Sequence, residues 1–211
     1  MANGKASLPV IKRLPRYHRY ICQLYQNGVT TVSSSELASI MGTTASQVRQ
    51  DFNCFGGFGQ QGIGYNVETL RHKLENLLFS GNKLSAILIG TGKLGRAVSQ
   101  FLAKEAQGFH FIAAFDSSPA EIGRKVADLI VLDVKSLHDF CIEHHPQVAV
   151  LCIPAEGAQQ LAPILTAAGV SGFWNFSHFD LTAENPDIVV ENVHLGDSLS
   201  SLGYRVRDLL S

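Results

Sequence analysis

Residues 84–89, with the sequence LSAILI, are followed at once by GTGKLG at positions 90–95. The first run is typical of a short buried strand, and the second matches the pattern G-x-G-x-x-G. In this pattern the first glycine permits a tight turn, the second lets a pyrophosphate approach the backbone, and the third lets a helix pack on the strand. The sequence therefore predicts a dinucleotide with its phosphates at a helix N-terminus. The predicted cofactor-binding residues of this turn are Gly90, Thr91, Gly92, Lys93, Leu94 and Gly95.

Downstream of this turn, short apolar runs alternate with stretches at helical spacing. Further strands are predicted at 109–115, 148–153, 172–176 and 188–193, and helices at 94–106, 136–143 and 158–168. This alternation indicates βαβ units and a mainly parallel sheet. We therefore predict a Rossmann-like α/β domain over residues 82–194.

Asp116 directly follows the second of these strands, 21 positions after Gly95. A carboxylate at this place can accept hydrogen bonds from the ribose hydroxyls of an adenosine, and its charge disfavours the 2′-phosphate of NADP(H). The predicted cofactor is therefore NAD(H). In the alternative interpretation, Asp116 is a turn residue that caps the next segment.

The first 80 residues have a helical pattern, with helices predicted at 16–26, 34–41, 45–55 and 67–79. Ser33 with Glu36, and Thr44 with Gln47, each fit the capping box that opens a helix. The two short helices that they open, joined across Gly42, form a helix-turn-helix. Residues 56–66 contain five glycines and predict a tight β-hairpin. Residues 1–80 are thus predicted to form a winged helix-turn-helix domain.

The second helix of a helix-turn-helix enters the major groove of DNA. Residues 1–80 contain eight Lys or Arg and four Asp or Glu, whereas the remainder contains nine and fourteen. This asymmetry favours a polyanionic partner for the first part alone, although a solvated polar helix face is the alternative. Arg49 is the strongest candidate contact, because a guanidinium can make two parallel hydrogen bonds to a guanine or a phosphate. The predicted contacts of this helix are Thr44, Ser46, Gln47, Arg49 and Gln50.

Composition excludes several other classes of protein. The 211 residues are 45% hydrophobic and 17% charged, and no apolar run is long enough to span a membrane. The first residues lack the apolar segment of a secretory signal, so we expect a cytoplasmic protein. The four cysteines have no C-x-x-C spacing, which argues against a zinc ribbon or a disulfide framework. Little chain remains for a substrate domain, so we predict no catalytic residues and no enzyme, with a small NAD-dependent enzyme as the alternative.

Residues 195–210 have apolar side chains at three- and four-residue spacing and predict an amphipathic helix. The apolar positions are Leu199, Leu202, Val206 and Leu209. Such a face must be buried, either on its own domain or by exchange across a two-fold axis of a homodimer. We assign 195–211 as a dimerisation helix.

Five segments of the chain together resemble one known family. They are VSSSELASIMGTTASQVRQDFNCFGGFGQQGIGYNV, ILIGTGKLGRAV, FDSSPAEIG, CIPAEGAQ and GFWNFS. In this order they are similar to the Rex family of redox-sensing transcriptional repressors, from about Leu14 to the C-terminus. The resemblance implies a homodimer that binds double-stranded operator DNA upstream of fermentation and respiration genes and releases it when NADH binds. It also implies a Rossmann-like core and a C-terminal helix exchanged between subunits.

The resemblance carries specific roles over to this sequence. Operator contacts fall on Ser46, Arg49 and Gln50, and on Gln60 and Gln61 of the wing. The pyrophosphate turn falls on positions 90–95 and the ribose acceptor on Asp116. Pro154 and Asn175 line the implied cofactor pocket.

This sequence departs from the family pattern at three places. Gln60 and Gln61 stand where basic wing residues are usual, so salt dependence of DNA binding should be weaker. Phe101 replaces a tyrosine near the nicotinamide. His194 and Leu195 stand where the family usually has an acid and an aromatic residue. In the family this acid forms an ion pair with an arginine that corresponds to Arg19, and this ion pair cannot form here. A regulator with altered NADH discrimination, or one that senses another adenosine nucleotide, is therefore the alternative function.

Overall fold

The computed structural model describes residues 6–58, 64–79, 81–182 and 187–211. The chain divides into two compact units, Met1–Gly81 and Asn82–Ser211, which we call the N-terminal and C-terminal units. Separate groups of buried apolar side chains form the core of each unit.

Helices and one small sheet make up the N-terminal unit. The helices are α1 (Leu8–Gln26), α2 (Ser34–Met41), α3 (Ala45–Asn53) and α4 (Val67–Phe79). The strands β1 (Thr31–Val32) and β2 (Tyr65–Asn66) pair antiparallel. The core between these elements includes Tyr17, Leu37, Phe52, Leu70 and Leu74, each with an exposed fraction of 1% or less. The helix-turn-helix predicted from the two capped helices corresponds to α2 and α3.

Helix α1 begins eight residues before its predicted start at residue 16. A proline in the first helical turn is favourable, because the N–H groups there have no partner within the helix. The buried face of α1 runs from Val10 through Leu14 to Ile21, so packing on both sides of Pro15 keeps the helix continuous despite this residue. Helix α3 ends two residues before its predicted end, at Asn53.

The glycine-rich segment 56–66 lies partly outside the described residues, which omit 59–63. Its described C-terminal end contributes β2, whose partner is β1 in the loop before α2. Gly64 has a φ of +84°, and a Cβ at this position would lie 2.7 Å from the carbonyl oxygen of Val32. Glycine is therefore required where this segment crosses the backbone of β1.

A seven-stranded sheet forms the centre of the C-terminal unit. Its strands are β3 (Leu84–Ile89), β4 (Phe109–Asp116), β5 (Lys125–Val126), β6 (Leu129–Asp133), β7 (Val148–Leu151), β8 (Gly172–Asn175) and β9 (Val189–Asn192). The order is β5-β6-β4-β3-β7-β8-β9, and every neighbouring pair is parallel except β5 and β6. Counted in chain order, the six parallel strands lie as third, second, first, fourth, fifth and sixth. This is the order of a Rossmann fold, so the predicted fold class is confirmed.

Helices cover both faces of this sheet. They are α5 (Lys93–Glu105) on one face, and α6 (Leu137–His144) and α7 (Ala155–Ala167) on the other. A further helix, α8 (Leu195–Leu210), follows β9. Along β3, Ile87 and Ile89 pack into one apolar cluster and Leu88 into another on the opposite face. A strand buried on both faces appears in sequence as a continuous apolar run, which is why LSAILI predicted it. The short antiparallel pair β5 and β6 was not predicted.

Helix α8 has no buried residue. Leu199 is 70% exposed, Leu202 55%, Val206 43% and Leu209 83%. The apolar face predicted for this helix is therefore uncovered within one chain. Among the described residues, no helix has both the length and the apolar character needed to cross a bilayer.

Candidate functional site

The carboxyl ends of four neighbouring strands bring the predicted cofactor residues together. The glycine turn follows β3, Asp116 ends β4, Pro154 follows β7 and Asn175 ends β8. Strand order reverses between β3 and β7, because β3 leads to β4 on one side and β7 begins on the other. Ligands of open parallel sheets bind at the carboxyl ends of the strands beside such a reversal.

The three glycines of the turn have three different local environments. Gly90 has a φ of +89°, and a Cβ there would lie 2.5 Å from the carbonyl oxygen of Cys152. A Cβ on Gly95 would overlap the carbonyl oxygen of Gly90, whereas a Cβ on Gly92 would meet no atom within 4 Å. Gly90 and Gly95 thus serve the turn and the packing of α5, and Gly92 leaves open space beside the backbone. This open space fits a ligand that approaches the chain closely.

Gly92 is also the N-cap of α5 and has no side chain that could accept a hydrogen bond from the first helix amides. The first amides of a helix have no partner within it, and they carry the positive end of the helix dipole. Gly92, Lys93 and Leu94 are exposed, whereas Thr91 and Gly95 are buried. The exposed start of α5 can therefore receive an anionic group such as a pyrophosphate.

Asp116 links the end of β4 to the glycine turn. One carboxylate oxygen, Oδ2, accepts hydrogen bonds from the Thr91 amide at 2.6 Å and from Thr91 Oγ1 at 2.9 Å. Oδ1 accepts from the Ser118 amide at 2.9 Å. Burial acts most strongly on the pKa of Asp116 and raises it, but the hydrogen bonds from Thr91 and Ser118 together leave this pKa below its ordinary value. Asp116 is therefore an ionised acceptor with lone pairs that remain for ribose hydroxyls.

Pro154 and Asn175 occupy different environments at this edge of the sheet. Pro154 is exposed and is the N-cap of α7. Asn175 is fully buried, and its amide donates to the Phe179 carbonyl at 2.9 Å and to Asn192 Oδ1 at 2.8 Å. Its own oxygen accepts from the amide and the hydroxyl of Ser177. Asn175 thus fixes the chain after β8 through internal hydrogen bonds, and its contact with a cofactor stays a prediction.

The predicted DNA contacts divide between the exposed and the covered sides of α3. Thr44, Ser46, Arg49 and Gln50 are exposed, and Val48 and Phe52 are buried on the opposite side. Arg49 Nη1 donates to Ser34 Oγ at 3.0 Å, which leaves its other guanidinium N–H groups available. Gln60 and Gln61 lie outside the described residues.

Gln47 differs from the other predicted contacts. Its backbone amide donates to Thr44 Oγ1 at 3.1 Å, as a capping box requires. Its side chain does not return to Thr44, because Nε2 donates to Asp51 Oδ1 at 2.8 Å. The predicted reciprocal box at Thr44 is therefore wrong, because the Gln47 side chain donates to the charged Asp51 carboxylate instead of accepting from the Thr44 amide. The box at Ser33 and Glu36 is complete.

Asp51 is a fully buried carboxylate on the recognition helix that the sequence did not single out. Arg13 of α1 donates to it twice, from Nε at 2.6 Å and from Nη2 at 2.7 Å, and Tyr17 Oη donates at 2.9 Å. Burial raises the pKa of Asp51, but the hydrogen bonds from Arg13, Gln47 and Tyr17 outweigh burial and hold this pKa below its ordinary value. The burial of Tyr17 and its bond to Asp51 raise the pKa of the phenol. This network fixes α3 to α1.

A second ion pair missed by the sequence lies beside the dinucleotide turn. Arg96 on α5 pairs with Glu121 in the loop after β4, and Arg124 lies 3.8 Å from the same carboxylate. The pair holds this loop against the helix that follows the turn. Its signal in the sequence was weak, because 25 residues separate the partners.

Two family models match the chain, one in each unit. Residues 5–53 match the family described as "Putative DNA-binding protein N-terminus", and residues 82–179 match the family described as "CoA binding domain". A curated Rex from Thermoanaerobacter pseudethanolicus is 45% identical over 97% of this chain and 91% of its own length. A Rex from Clostridium botulinum is 44% identical over 93% of each chain. Both relatives are named redox-sensing transcriptional repressors.

Solved structures of a protein named RSP have the same fold. RSP in complex with β-NADH has a TM-score of 0.88 and 42% identity, covering 98% of this chain and 96% of its own. RSP with β-NAD⁺ and operator DNA has a TM-score of 0.87 and 45% identity, covering 96% of this chain and 93% of its own.

A helix-turn-helix unit and a Rossmann-like unit with a dinucleotide turn define a ligand-controlled DNA-binding regulator. The sequence identity of 44–45% to the two Rex proteins over most of the chain shows the family. The chain belongs to the Rex family of redox-sensing transcriptional repressors. The predicted family is therefore confirmed. The prediction that the chain is not an enzyme agrees with this family of repressors.

Proposed function

We propose that this protein represses transcription by binding double-stranded operator DNA and that NADH releases it. One observation carries the proposal: the glycine turn, Asp116 and Pro154 meet at the reversal of strand order in a chain that also contains an exposed recognition helix. The related protein RSP has been solved with β-NADH, and also with β-NAD⁺ and operator DNA.

The proposed cofactor site consists of the turn at 90–95, Asp116, Pro154 and Asn175. The start of α5 receives the pyrophosphate, and Asp116 accepts the adenosine ribose hydroxyls. Asp116 also repels a 2′-phosphate, which makes NAD(H) the ligand rather than NADP(H). NADH and NAD⁺ differ at the nicotinamide alone, so discrimination depends on the ring pocket. The resemblance to the family assigns Phe101 to that pocket, and its side chain is 49% exposed on α5.

The proposed DNA contacts are Ser46, Arg49 and Gln50 on the exposed face of α3, with Thr44 at its N-cap and Gln60 and Gln61 in the wing. Gln47 has a supporting role, because its side-chain amide already bonds to Asp51. Since the described part of α3 presents one cation, Arg49 is assigned the largest single contribution to operator affinity.

We also propose that the protein is a homodimer with three functional parts, residues 1–80, 82–194 and 195–211. Helix α8 supports this, because an exposed stripe of leucines on a terminal helix requires a partner surface. Exchange of α8 across a two-fold axis supplies that surface. Because operator DNA and NADH are intracellular ligands, the proposal places the protein in the cytoplasm.

In the proposed mechanism the dimer has two arrangements, and only one spaces its recognition helices for successive major grooves. NADH binds the other arrangement more tightly. A shift from 1:99 to 99:1 requires about 5.5 kcal/mol of differential binding, or about 2.7 kcal/mol for each of two sites.

The test is release of a fluorescent operator duplex, selected from a random library, during parallel titrations with NADH, NAD⁺ and ATP. Release by NADH at far lower concentrations than by NAD⁺ or ATP is expected. Release by ATP would favour the alternative regulator that senses another adenosine nucleotide, and no release by any nucleotide would refute control through this site.

Asp116→Ala is the matched variant for this titration. Without nucleotide its operator affinity should equal that of the native protein, because Asp116 belongs to the C-terminal unit. Release should require at least about tenfold more NADH, the equivalent of one charge-assisted hydrogen bond. Equal NADH affinity in both proteins would remove Asp116 from the site.

A further inference from the structure

One cluster of metal-ligating side chains lies in the N-terminal unit, on α1 and α4. His18 and Cys22 are four residues apart on α1 and therefore share a face of the helix. Glu75 reaches the same place from α4. The ligand atoms of the three side chains all lie within 4.8 Å of one another. None of the three was singled out by the sequence, because the spacing between α1 and α4 matches no zinc motif.

The two separations that involve His18 match those of a tetrahedral metal site. His18 Nε2 lies 3.4 Å from Cys22 Sγ and 3.6 Å from Glu75 Oε1. Metal–ligand bonds of about 2.0–2.3 Å at tetrahedral angles place ligand atoms about 3.3–3.6 Å apart. Cys22 Sγ and the Glu75 carboxylate lie within 4.8 Å of each other, so an ion between the three atoms needs side-chain movements of about 1 Å.

Neighbouring side chains hold two of the three ligands in place. The ring of His18 meets the edge of Phe79, with 5.3 Å between ring centroids. Arg71 Nη1 donates to Glu75 Oε1 at 2.5 Å, and His72 Nδ1 lies 3.4 Å from Glu75 Oε2. Such outer contacts orient the ligands of metal sites. Arg71 also competes for one carboxylate oxygen, which lowers the affinity of the cluster for cations.

The donor set selects the class of ion. A thiolate disfavours Mg²⁺ and Ca²⁺, which prefer oxygen ligands, and the hard carboxylate disfavours the soft ion Cu⁺. One nitrogen, one sulfur and one oxygen suit Zn²⁺, with water in the fourth position. Cys22 binds the ion as a thiolate, so binding of the ion releases the thiol proton.

We propose that His18, Cys22 and Glu75 form a site for a divalent transition-metal ion, with Zn²⁺ as the fitting ion. The ion joins α1 to α4 in the DNA-binding unit. It is independent of the dinucleotide site and does not depend on the function proposed above. In the alternative interpretation, the cluster is a thiol–imidazole hydrogen bond beside an ion pair.

The test is a titration of the full chain, without an affinity tag and in a reducing buffer, with Co²⁺ as a coloured substitute for Zn²⁺. We expect one Co²⁺ per chain and a thiolate-to-cobalt charge-transfer band that disappears when Zn²⁺ displaces the Co²⁺. Cys22→Ser should abolish the band. Cys54→Ser should retain it, because Cys54 is exposed on the same unit and lies outside the cluster.

Two further measurements guard against misfolding of the cysteine variant. Glu75→Gln should keep the band and weaken Co²⁺ binding at least about tenfold, as loss of one ligand does. Zn²⁺ should raise the melting temperature of the native chain and of Cys54→Ser, and leave that of Cys22→Ser unchanged. Absence of the band in the native chain, or its persistence in Cys22→Ser, would overturn the proposal.

Discussion

The glycine turn at 90–95 and the recognition helix α3 position their functional groups by different means. At the turn the groups belong to the backbone, and contacts between backbone atoms leave no room for a Cβ at Gly90 or Gly95. On α3 the groups are flexible exposed side chains, and their orientation depends on a buried carboxylate, Asp51, held by Arg13 and Tyr17. Gly90 and Gly95 should therefore tolerate no side chain, whereas substitutions on α3 should have graded effects.

Gly95→Ala should have the largest effect. The new Cβ overlaps the carbonyl oxygen of Gly90, and Gly90 is itself confined by Cys152. Overpacking costs about 1–3 kcal/mol where the neighbouring side chains can shift. Here the neighbouring atoms belong to the backbone and cannot shift as easily, so we expect the free energy of unfolding to fall by more than about 3 kcal/mol. Urea denaturation followed by fluorescence of Trp174, the single tryptophan of the chain, measures this loss in the C-terminal unit.

Gly92→Ala is the control for that variant. Its φ is −64°, and a Cβ there meets no protein atom within 4 Å. Stability should stay close to native, while NADH affinity falls at least about tenfold because the methyl group occupies the path of the pyrophosphate. Equal stability of Gly95→Ala and Gly92→Ala would refute the different roles assigned to these glycines.

Asp51→Asn should have the next largest effect, and this effect should depend on pH. Breaking a buried ion pair costs about 3–5 kcal/mol, and the low end applies because the Arg13 side chain is 29% exposed. Since folding lowers the pKa of Asp51, its carboxylate stabilises the native protein above the ordinary value of 3.8. This contribution is lost as pH falls through the lower folded-state pKa.

Hydrogen exchange of peptides from α3 measures the Asp51 effect within the N-terminal unit. Native protein should lose protection as pH falls below 3.8, whereas Asp51→Asn should have lost it already at neutral pH. Glu68→Gln, which changes an exposed acid of the same unit, should behave as native. A native-like response of Asp51→Asn would mean that the network does not hold α3.

The contrast between the two regions also explains what the sequence could and could not predict. The turn depends on the local requirements of Gly90, Gly92 and Gly95, so the spacing of these glycines was enough to predict it. The network on α3 depends on Arg13, 38 residues from Asp51, and no local pattern joins them. The hairpin predicted over residues 56–66 includes β2, but β2 pairs with β1 in a different loop, and that pairing required knowledge of the tertiary fold.

Arg49→Ala tests whether side chains on α3 carry operator affinity. We expect a loss of about 1–3 kcal/mol in binding to an operator duplex, with NADH affinity unchanged. Arg49→Lys separates two kinds of contact, because lysine keeps the charge for a phosphate but loses the fork that pairs with guanine. Native operator affinity in Arg49→Ala, measured by fluorescence polarisation, would contradict the assignment of α3 as the recognition helix.

Thr44→Ala should have the smallest effect, and it joins stability to recognition at one residue. The Thr44 hydroxyl accepts from the Gln47 amide at 3.1 Å and caps α3, and loss of such a cap costs about 1 kcal/mol. Thr44→Ser keeps the hydroxyl and should keep both the helix end and operator affinity. If Thr44→Ala weakens operator binding more than its loss of stability explains, the hydroxyl also contacts DNA. If the two losses match, Thr44 acts through the helix end alone, and the exposed contacts begin at Ser46.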